Sequence, residues 1–228
     1  MKQIRRSSQA IGLMALACMA MAASAQSTGR LYDPMPPDDS AYVRVVQATQ
    51  GQAARVLVDG RERVRQLPAR QAGEYLVVPA GKRRVQLQSG NAARGPVMLD
   101  AASRGAYTIT FNASGAPYVF TDRTGTNRLK AMLAVYHMAP GAGAIDITTA
   151  DGKTKVFSNL RAGQPAILEV NPIQVNLVAV RSGTTTPIAN ASLRMTQGGA
   201  YSIFLFPAGA QGVSAMAVEN KRERYTGN

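Results

Sequence analysis

The fold is decided by two phrases of sequence that are nearly the same. The first, RGAYTITFNASG, covers residues 104–115, and the second, GGAYSIFLFPAG, covers residues 198–209. In each, Gly-Ala-Tyr opens a run of β-branched and aromatic residues that ends at a glycine, the pattern of a strand bounded by turns. A strand repeated 94 residues later indicates that a whole structural unit has been duplicated.

The correspondence extends along both halves of the chain. YVRVVQATQGQAARVLVDGRERVRQL at residues 42–67 corresponds to MLAVYHMAPGAGAIDITTADGKTKVFSNL at residues 132–160. The offset stays between 90 and 94 residues, as a few short loop insertions would produce. A period of this length is too long for a solenoid repeat and suits a small domain, so we predict two copies of one fold.

Each copy has the pattern of an all-β domain. Short runs rich in Val, Ile, Thr and Tyr are separated by turn residues every 8–12 positions. Asp59-Gly60 and Asp151-Gly152 are dipeptides typical of hairpins, because glycine readily takes the positive φ of a tight turn. The predicted fold is therefore two tandem immunoglobulin-like antiparallel β-sandwich domains.

The repeat and the composition predict the organisation of the chain. The predicted segments are a signal peptide at 1–25, an extended leader at 26–40, sandwich domains at 41–122 and 132–218, a linker at 123–131 and a charged tail at 219–228. Because the tail is polar and terminal, we expect it to fray.

The first 25 residues have the layout of a secretory signal peptide. A positive segment at residues 2–6 precedes an apolar stretch at 11–22 and the small residues Ala-Ser-Ala at 23–25. The apolar stretch is shorter than the roughly 20 residues that span a bilayer, so we expect cleavage after Ala25, delivery to the periplasm and no transmembrane segment in the mature chain. Cys18, the only cysteine, would be removed, which leaves no disulfide or thiol chemistry.

The charge of the chain is strongly basic. Its formal charge is +13, and the part after residue 25 carries 23 basic against 13 acidic residues. A basic exported protein attracts anionic polysaccharide, anionic lipid or an acidic protein. Because an exported protein is kept apart from the nucleic acid of the cell, we expect no nucleic-acid partner.

The basic residues are concentrated in the first copy. Residues 42–122 hold eleven basic and five acidic side chains, whereas residues 132–218 hold five and three. Strand alternation predicts Arg61, Arg63 and Arg65 on one face, and a second group follows a turn. The candidate contact residues for a partner or polyanion are Arg61, Arg63, Arg65, Lys82, Arg83 and Arg84. A solvated outer face would have the same charges, so both interpretations stay open.

Catalytic and metal-binding patterns are lacking in the sequence. His137 is the only histidine, and its counterpart in the first copy is Gln47, so this strand position favours a polar hydrogen-bonding side chain. There is no G-x-S-x-G motif, no zinc-ligand spacing and no calcium loop. We predict no catalytic residue, no metal site and no cofactor. An esterase or acetyltransferase built on His137 is the minor alternative.

Several motifs together resemble a known family. LYDPMPPDDSAYVRVVQA at residues 31–48, LVDG at 57–60, YLVVPAGKRRVQL at 75–87 and GGAYSIFLF at 198–206 are similar to the AlgF family of periplasmic alginate biosynthesis proteins. The resemblance implies a part in the O-acetylation of exopolysaccharide, beside a membrane-bound O-acyltransferase and a periplasmic O-acetyltransferase. It implies no catalytic residues, because the matching motifs contain none.

The predicted function is accordingly a non-catalytic periplasmic adaptor that links those two acyl-transfer partners. Alginate is the expected polymer, and acetylated cellulose is the other polymer that the resemblance allows. The alternative is an exported β-sandwich for adhesion or polyanion binding with no role in acetylation.

Overall fold

The computed structural model describes residues 34–113, 115–209 and 211–227. The predicted signal peptide and residues 26–33 of the leader lie outside these ranges. Most of the described residues are in β-strands, and the only helical segment among them is a 3-10 turn at Pro140–Ala142. None of the helical structure in these ranges is long and apolar enough to cross a bilayer. The predicted all-β class is confirmed.

The first copy is a sandwich of two sheets. Its strands are β1 (Ser40–Gln47), β2 (Ala54–Val58), β3 (Arg61–Leu67), β4 (Gln71–Ala72), β5 (Leu76–Pro79), β6 (Gly81–Ser89), β7 (Ala92–Ala101), β8 (Ala106–Phe111) and β9 (Tyr118–Asp122). One sheet has the order β4-β1-β8-β9, with β5 also paired to β1, and the other has the order β3-β2-β6-β7. Apolar side chains from both sheets, such as Val43, Val56 and Ile109, form the core between them.

The second copy repeats this architecture. Its strands are β10 (Ala131–His137), β11 (Ile145–Thr149), β12 (Lys155–Leu160), β13 (Pro165–Val170), β14 (Ile173–Arg181), β15 (Pro187–Met195), β16 (Ala200–Ala208) and β17 (Gly212–Glu219). The sheet orders are β13-β10-β16-β17 and β12-β11-β14-β15. The parallel pairs β1–β8 and β10–β16 occupy equivalent places, and the other pairs among the described strands are antiparallel. The duplicated sandwich fold is confirmed.

The repeated Gly-Ala-Tyr phrase forms the same corner in both copies. The Tyr107 hydroxyl accepts a hydrogen bond from the Ala102 N–H at 3.0 Å, and the Tyr201 hydroxyl accepts one from the Thr196 N–H at 3.1 Å. Each ring folds back over the glycine two residues earlier, where an added Cβ would lie 2.8 Å or 2.7 Å from the tyrosine. The position two residues before each tyrosine is glycine, because a side chain there would collide with the tyrosine ring.

Both predicted hairpins are present. Asp59 and Gly60 form a two-residue turn that joins β2 to β3. Both have positive φ, 51° and 79°, as a tight hairpin turn of this kind requires. The second hairpin joins β11 to β12 through a longer loop, in which the Asp151 carboxylate accepts a hydrogen bond from the Lys153 N–H.

The two sandwiches pack on each other through their equivalent sheets. The β1–β8 and β10–β16 pairs are buried almost throughout, because each has a core on one face and the other sandwich on its second face. A separate apolar cluster fills the interface and consists of Val46, Ala48, Phe120, Ala134, Tyr136, Met138, Phe204 and Phe206. The molecule therefore has four sheet layers in one compact unit, with the β3-β2-β6-β7 and β12-β11-β14-β15 sheets outermost.

The charged tail is docked, and the expectation that it would fray is wrong. After β17 the chain returns to the first sandwich, where the Tyr75 N–H donates to the Lys221 carbonyl and the Glu223 N–H donates to the Tyr75 carbonyl. The Arg222 guanidinium lies 4.2 Å from the centre of the Tyr42 ring. Backbone pairing, ring contact and ion pairing together outweigh the entropy that favours a free terminus.

Candidate functional site

The first predicted basic group does not form a single row. Two register shifts interrupt the pairing of β2 with β3, so that Val56 lies opposite Val64 and Leu57 lies opposite Glu62. Arg63 is the extra residue of a β-bulge between these pairs, which breaks the strict alternation of side chains. The prediction that Arg61, Arg63 and Arg65 share one strand face is therefore wrong.

Three of the six predicted residues meet in a groove at the end of the first sandwich. Arg61, Arg63 and Arg83 line a space of about 810 Å³ together with the docked tail. Arg63 forms an ion pair with Glu223, and Arg83 forms one with Asp59 at 2.9 Å. These partners neutralise much of the cationic charge, so the groove holds the tail in place more than it attracts an external anion.

The other three residues lie on the solvent face of the outer sheet in the first copy. Lys82 and Arg84 alternate with the buried residues Val85 and Leu87 on β6. Their side chains have no hydrogen bond or ion pair within the described part of the chain. Arg65 and Arg55 lie on the same face, where both form ion pairs with Glu62, at 3.3 Å and 3.7 Å. We call this the basic face, defined by Arg55, Arg65, Lys82 and Arg84.

The equivalent outer face of the second copy is polar and nearly neutral. On β14 and β15, the Ser192 hydroxyl donates to the Asn176 amide oxygen at 2.7 Å, and Arg194 donates to the Gln174 amide oxygen at 3.2 Å. We call this the amide face, defined by Gln174, Asn176, Ser192 and Arg194. The two outermost surfaces of the molecule thus have different chemistry.

His137 is buried and fully engaged by the backbone. Its Nδ1 accepts a hydrogen bond from the Ala139 N–H at 3.2 Å, so Nε2 carries the proton and donates to the Gly143 carbonyl at 2.8 Å. Burial lowers the pKa of the His137 imidazole, and the bond to Gly143 opposes that shift only in part. A neutral ring with both nitrogens occupied by backbone atoms is poorly suited to general base catalysis.

Asp146 is also held by structural partners. Its carboxylate accepts hydrogen bonds from the Asn159 N–H and the Ser182 hydroxyl and forms an ion pair with Lys155 at 2.6 Å. Burial alone would raise the pKa of Asp146, but these three donors outweigh it and lower the pKa to about 2. No group of three or more His, Cys, Asp or Glu suitable for a metal ion occurs in the described ranges.

The most distinctive polar residue, Arg44, was not among the predicted site residues. Its side chain is buried at the interface between the sandwiches, 1% exposed. It donates to the Thr108 and Ser202 hydroxyls at 3.0–3.2 Å and to the Asn220 amide oxygen at 2.6 Å. Its guanidinium also lies 5.0 Å from the centre of the Phe204 ring. One cation therefore joins both sandwiches and the segment after β17.

Asp122 balances Arg44 through intermediate hydroxyl groups. It accepts hydrogen bonds from Thr108 at 2.6 Å, Tyr136 at 2.6 Å and Tyr75 at 2.8 Å. Burial raises the pKa of Tyr136, and the Asp122 charge raises it further, so this hydroxyl stays a donor to the carboxylate. A signal for this interface existed in the sequence: runs such as AYTITF and AYSIFLF show little alternation, which is typical of strands covered on both faces.

Comparisons with known proteins agree with the resemblance seen in the sequence. A family described as "Alginate O-acetyl transferase AlgF" matches residues 13–200. "Alginate biosynthesis protein AlgF" from Pseudomonas putida is 29% identical over 178 residues, 76% of this chain and 79% of that protein. The protein of the same name from Pseudomonas aeruginosa is 28% identical over 72% of this chain and 71% of its own length. A solved structure of the C-terminal domain of AlgF from P. aeruginosa covers 40% of this chain with 20% identity and a TM-score of 0.34.

Proposed function

The chain belongs to the AlgF family of alginate biosynthesis proteins, and on that premise we propose that it is a non-catalytic periplasmic adaptor for alginate O-acetylation. It would hold a membrane-bound O-acyltransferase and a periplasmic O-acetyltransferase together while acetyl groups pass to the polymer. The periplasmic location rests on the signal peptide expected at residues 1–25.

The observation that carries the proposal is the rigid pairing of two different outer faces. The four-layer packing holds the basic face and the amide face on opposite sides of one body. An adaptor needs two surfaces at a fixed separation, and surfaces of unlike chemistry can select unlike partners. The basic face suits an acidic surface, because Lys82 and Arg84 have no internal partner among the described residues and lose little when they engage a carboxylate.

The engagement of His137 supports a role without catalysis. A hydrolase or transferase of the serine type needs a base within hydrogen-bond reach of a nucleophile, whereas both nitrogens of His137 bond to the backbone. Purified protein should therefore show no turnover of an acetyl ester such as 4-nitrophenyl acetate above the buffer rate. Turnover by the wild type that disappears in His137→Gln would contradict the non-catalytic role.

The central experiment is deletion of the gene followed by measurement of acetyl content in the secreted polymer. We expect the acetyl content to fall sharply while polymer continues to be secreted. Expression of the full chain should restore it, and mass spectrometry of the periplasmic fraction should find a mature chain that begins at Gln26. Unchanged acetylation in the deletion strain would reject the proposal in favour of an adhesion or polyanion-binding role.

The basic face can be tested separately from the whole protein. A Lys82→Glu/Arg84→Glu variant should lose co-purification with the periplasmic O-acetyltransferase, and wild-type binding should weaken as salt rises, because exposed charges are screened beyond about 10 Å at 0.1 M salt. Arg194→Glu is the matched control on the amide face. Equal binding by both variants at all salt concentrations would remove the basic face from the proposal.

A further inference from the structure

A second basic site lies at the joint between the two copies. A pocket of about 220 Å³ opens there and is lined by residues from both sandwiches, from the linker and from the segment after β17. Tyr75 and Ala106 come from the first copy, and Gly198–Ala200 come from the second. Neither copy could form this pocket alone.

Four cations surround the pocket, and little inside the protein neutralises them. Arg123, Arg128, Lys130 and Arg222 all line it. Three of them lie in the linker, and we call Arg123, Arg128 and Lys130 the linker cations. Within the described residues, their side chains form no ion pair or hydrogen bond. The single carboxylate among the described lining residues, Glu169, accepts a hydrogen bond from the Thr126 N–H at 3.1 Å. The lining therefore has a clear excess of positive charge.

The buried Arg44 holds the wall of the pocket in place from behind. Asn220 lines the pocket and accepts a hydrogen bond from Arg44 at 2.6 Å, and the Tyr75 ring, also in the lining, lies 4.5 Å from the Arg44 guanidinium. No carboxylate among the described residues contacts Arg44 directly, since Asp122 reaches it only through hydroxyl groups. Because Asp122 balances the charge of Arg44 through these hydroxyls, the excess positive charge of the pocket comes from the linker cations and Arg222.

The surroundings favour a protein segment over a sugar chain. Tyr75, the only aromatic residue in the described lining, has Arg44 against its ring and its hydroxyl bonded to Asp122, so it offers no platform for a sugar. Beside the pocket, Leu129 is 69% exposed between two of the cations, and the Asn127 side chain accepts a hydrogen bond from its N–H. An acidic protein segment fits these surroundings, because it can offer a carboxylate to the cations and an apolar side chain to Leu129 at the same time.

We propose that this joint pocket binds an acidic segment of a partner protein. An Asp or Glu side chain of the partner would enter between the linker cations and Arg222, while a neighbouring apolar side chain would pack on Leu129. The pocket is separate from the basic face, and the proposal does not rest on a role in acetylation.

The test uses the full mature chain and defined probes. The main probe is a capped hexapeptide, Leu-Asp-Glu-Leu-Asp-Glu. Its control is the neutral peptide in which Asn replaces Asp and Gln replaces Glu. An oligomannuronate and inorganic phosphate are tested separately as alternative anionic ligands. Amide shifts in two-dimensional NMR spectra should follow binding at Gly125, Gly198 and Gly199, which line the pocket. We expect the acidic peptide to shift these three amides and its neutral version to leave them unchanged.

Three variants decide where and how the peptide binds. Arg128→Glu/Lys130→Glu should weaken peptide binding by about tenfold or more, because it reverses two contacts. Leu129→Ser should weaken it by a smaller factor and leave phosphate binding unchanged. Lys153→Glu/Arg161→Glu, a double charge reversal in the second copy at residues that do not line the pocket, should leave the peptide affinity as it is in the wild type.

Each contrary result overturns the proposal. Absence of shifts with every probe would mean that the pocket is not an anion site. Stronger shifts with oligomannuronate than with the peptide would assign the pocket to the polymer, and equal effects of peptide and phosphate with no effect of Leu129→Ser would reduce it to a general anion site. These outcomes leave the acetylation phenotype of a deletion strain untouched, so the two proposals fail independently.

Discussion

The two copies share a scaffold and differ where they meet. In the first copy β1 carries Arg44 opposite Thr108 on β8, and in the second copy β10 carries Ala134 opposite Ser202 on β16. Arg44 donates to both hydroxyls, which occupy equivalent places in the repeat. A second arginine at Ala134 would place two like charges in one buried layer, so the small residue makes room for a single cation.

The acceptors next to Arg44 differ in the same way. Asp122 accepts a hydrogen bond from Thr108 at 2.6 Å, and Asn220, its counterpart beside β16, accepts one from Ser202 at 2.7 Å. One copy thus supplies a carboxylate and the other a neutral amide, which matches one carboxylate to one guanidinium. Duplication produced two equivalent surfaces, and a few charge differences turned them into one specific interface.

The largest effect should come from removal of the shared cation. Arg44→Met leaves Asp122 without its counter-charge and several buried acceptors without a donor, so the free energy of unfolding should fall by about 3 kcal/mol or more. Chemical denaturation would measure the loss. The control is Arg194→Met, which removes an exposed arginine of the second copy and should leave the denaturation midpoint unchanged. A loss from Arg44→Met no larger than that of the control would mean that the interface is held by apolar packing alone.

The tyrosine corners test how equivalent the copies are. Tyr107→Phe and Tyr201→Phe each leave one N–H without its acceptor, so each should lower the free energy of unfolding by about 1–3 kcal/mol. Tyr201→Phe should cost slightly more, because the Tyr201 hydroxyl also contacts the Thr196 hydroxyl at 3.0 Å. Paired denaturation curves for the two variants would show this. A cost confined to one corner would show that the shared sequence does not have a shared role.

Asp146, in the second copy, should contribute to stability in acid. The pKa of folded Asp146 is about 2, against 3.8 for an ordinary aspartate, so its contribution is complete above pH 3.8 and is lost as the pH falls through about 2. The contribution is on the order of 1 kcal/mol, because Lys155 is half exposed and its ion pair is partly screened. Unfolding of wild type and Asp146→Asn should be compared at pH 5, 3 and 2. Parallel decline of both proteins would remove Asp146 as the cause.

The smallest effect should come from exchange of equivalent residues. His137→Gln gives the second copy the residue that the first copy has at Gln47. The Gln47 amide donates to the Thr49 hydroxyl at 2.9 Å, so glutamine can satisfy a polar partner at this position. The free energy of unfolding at pH 7.5 should therefore fall by about 1 kcal/mol or less. Because burial lowers the pKa of His137, the wild type should lose stability as the pH falls below the ordinary histidine pKa of 6.5, whereas the variant should not. Denaturation at pH 7.5 and 5.5 would measure both quantities. Equal pH dependence in the two proteins would show that His137 does not control it.

The sequence predicted the elements that depend on local pattern. The repeated Gly-Ala-Tyr phrase, the alternating strands and Asp59-Gly60 act through nearest neighbours, so their structure could be inferred without knowledge of the rest of the chain. The arginine row on β3 was predicted wrongly, because a β-bulge at Arg63 depends on how β2 and β3 pair. The tail was also predicted wrongly, because its partners, such as Tyr75, lie more than 140 residues away in sequence.

By itself, the sequence determined that this chain would be a duplicated β-sandwich, since hydrophobic period, turn residues and internal repetition are all local properties of a chain. Only the tertiary structure decided that Arg44 would be buried between the copies and that the linker cations would surround a pocket. In the sequence, Arg44 cannot be distinguished from any other arginine on a strand; its burial follows only from the packing of the two sandwiches on each other. Long-range packing, which no local pattern records, is what separates a buried structural cation from an exposed one.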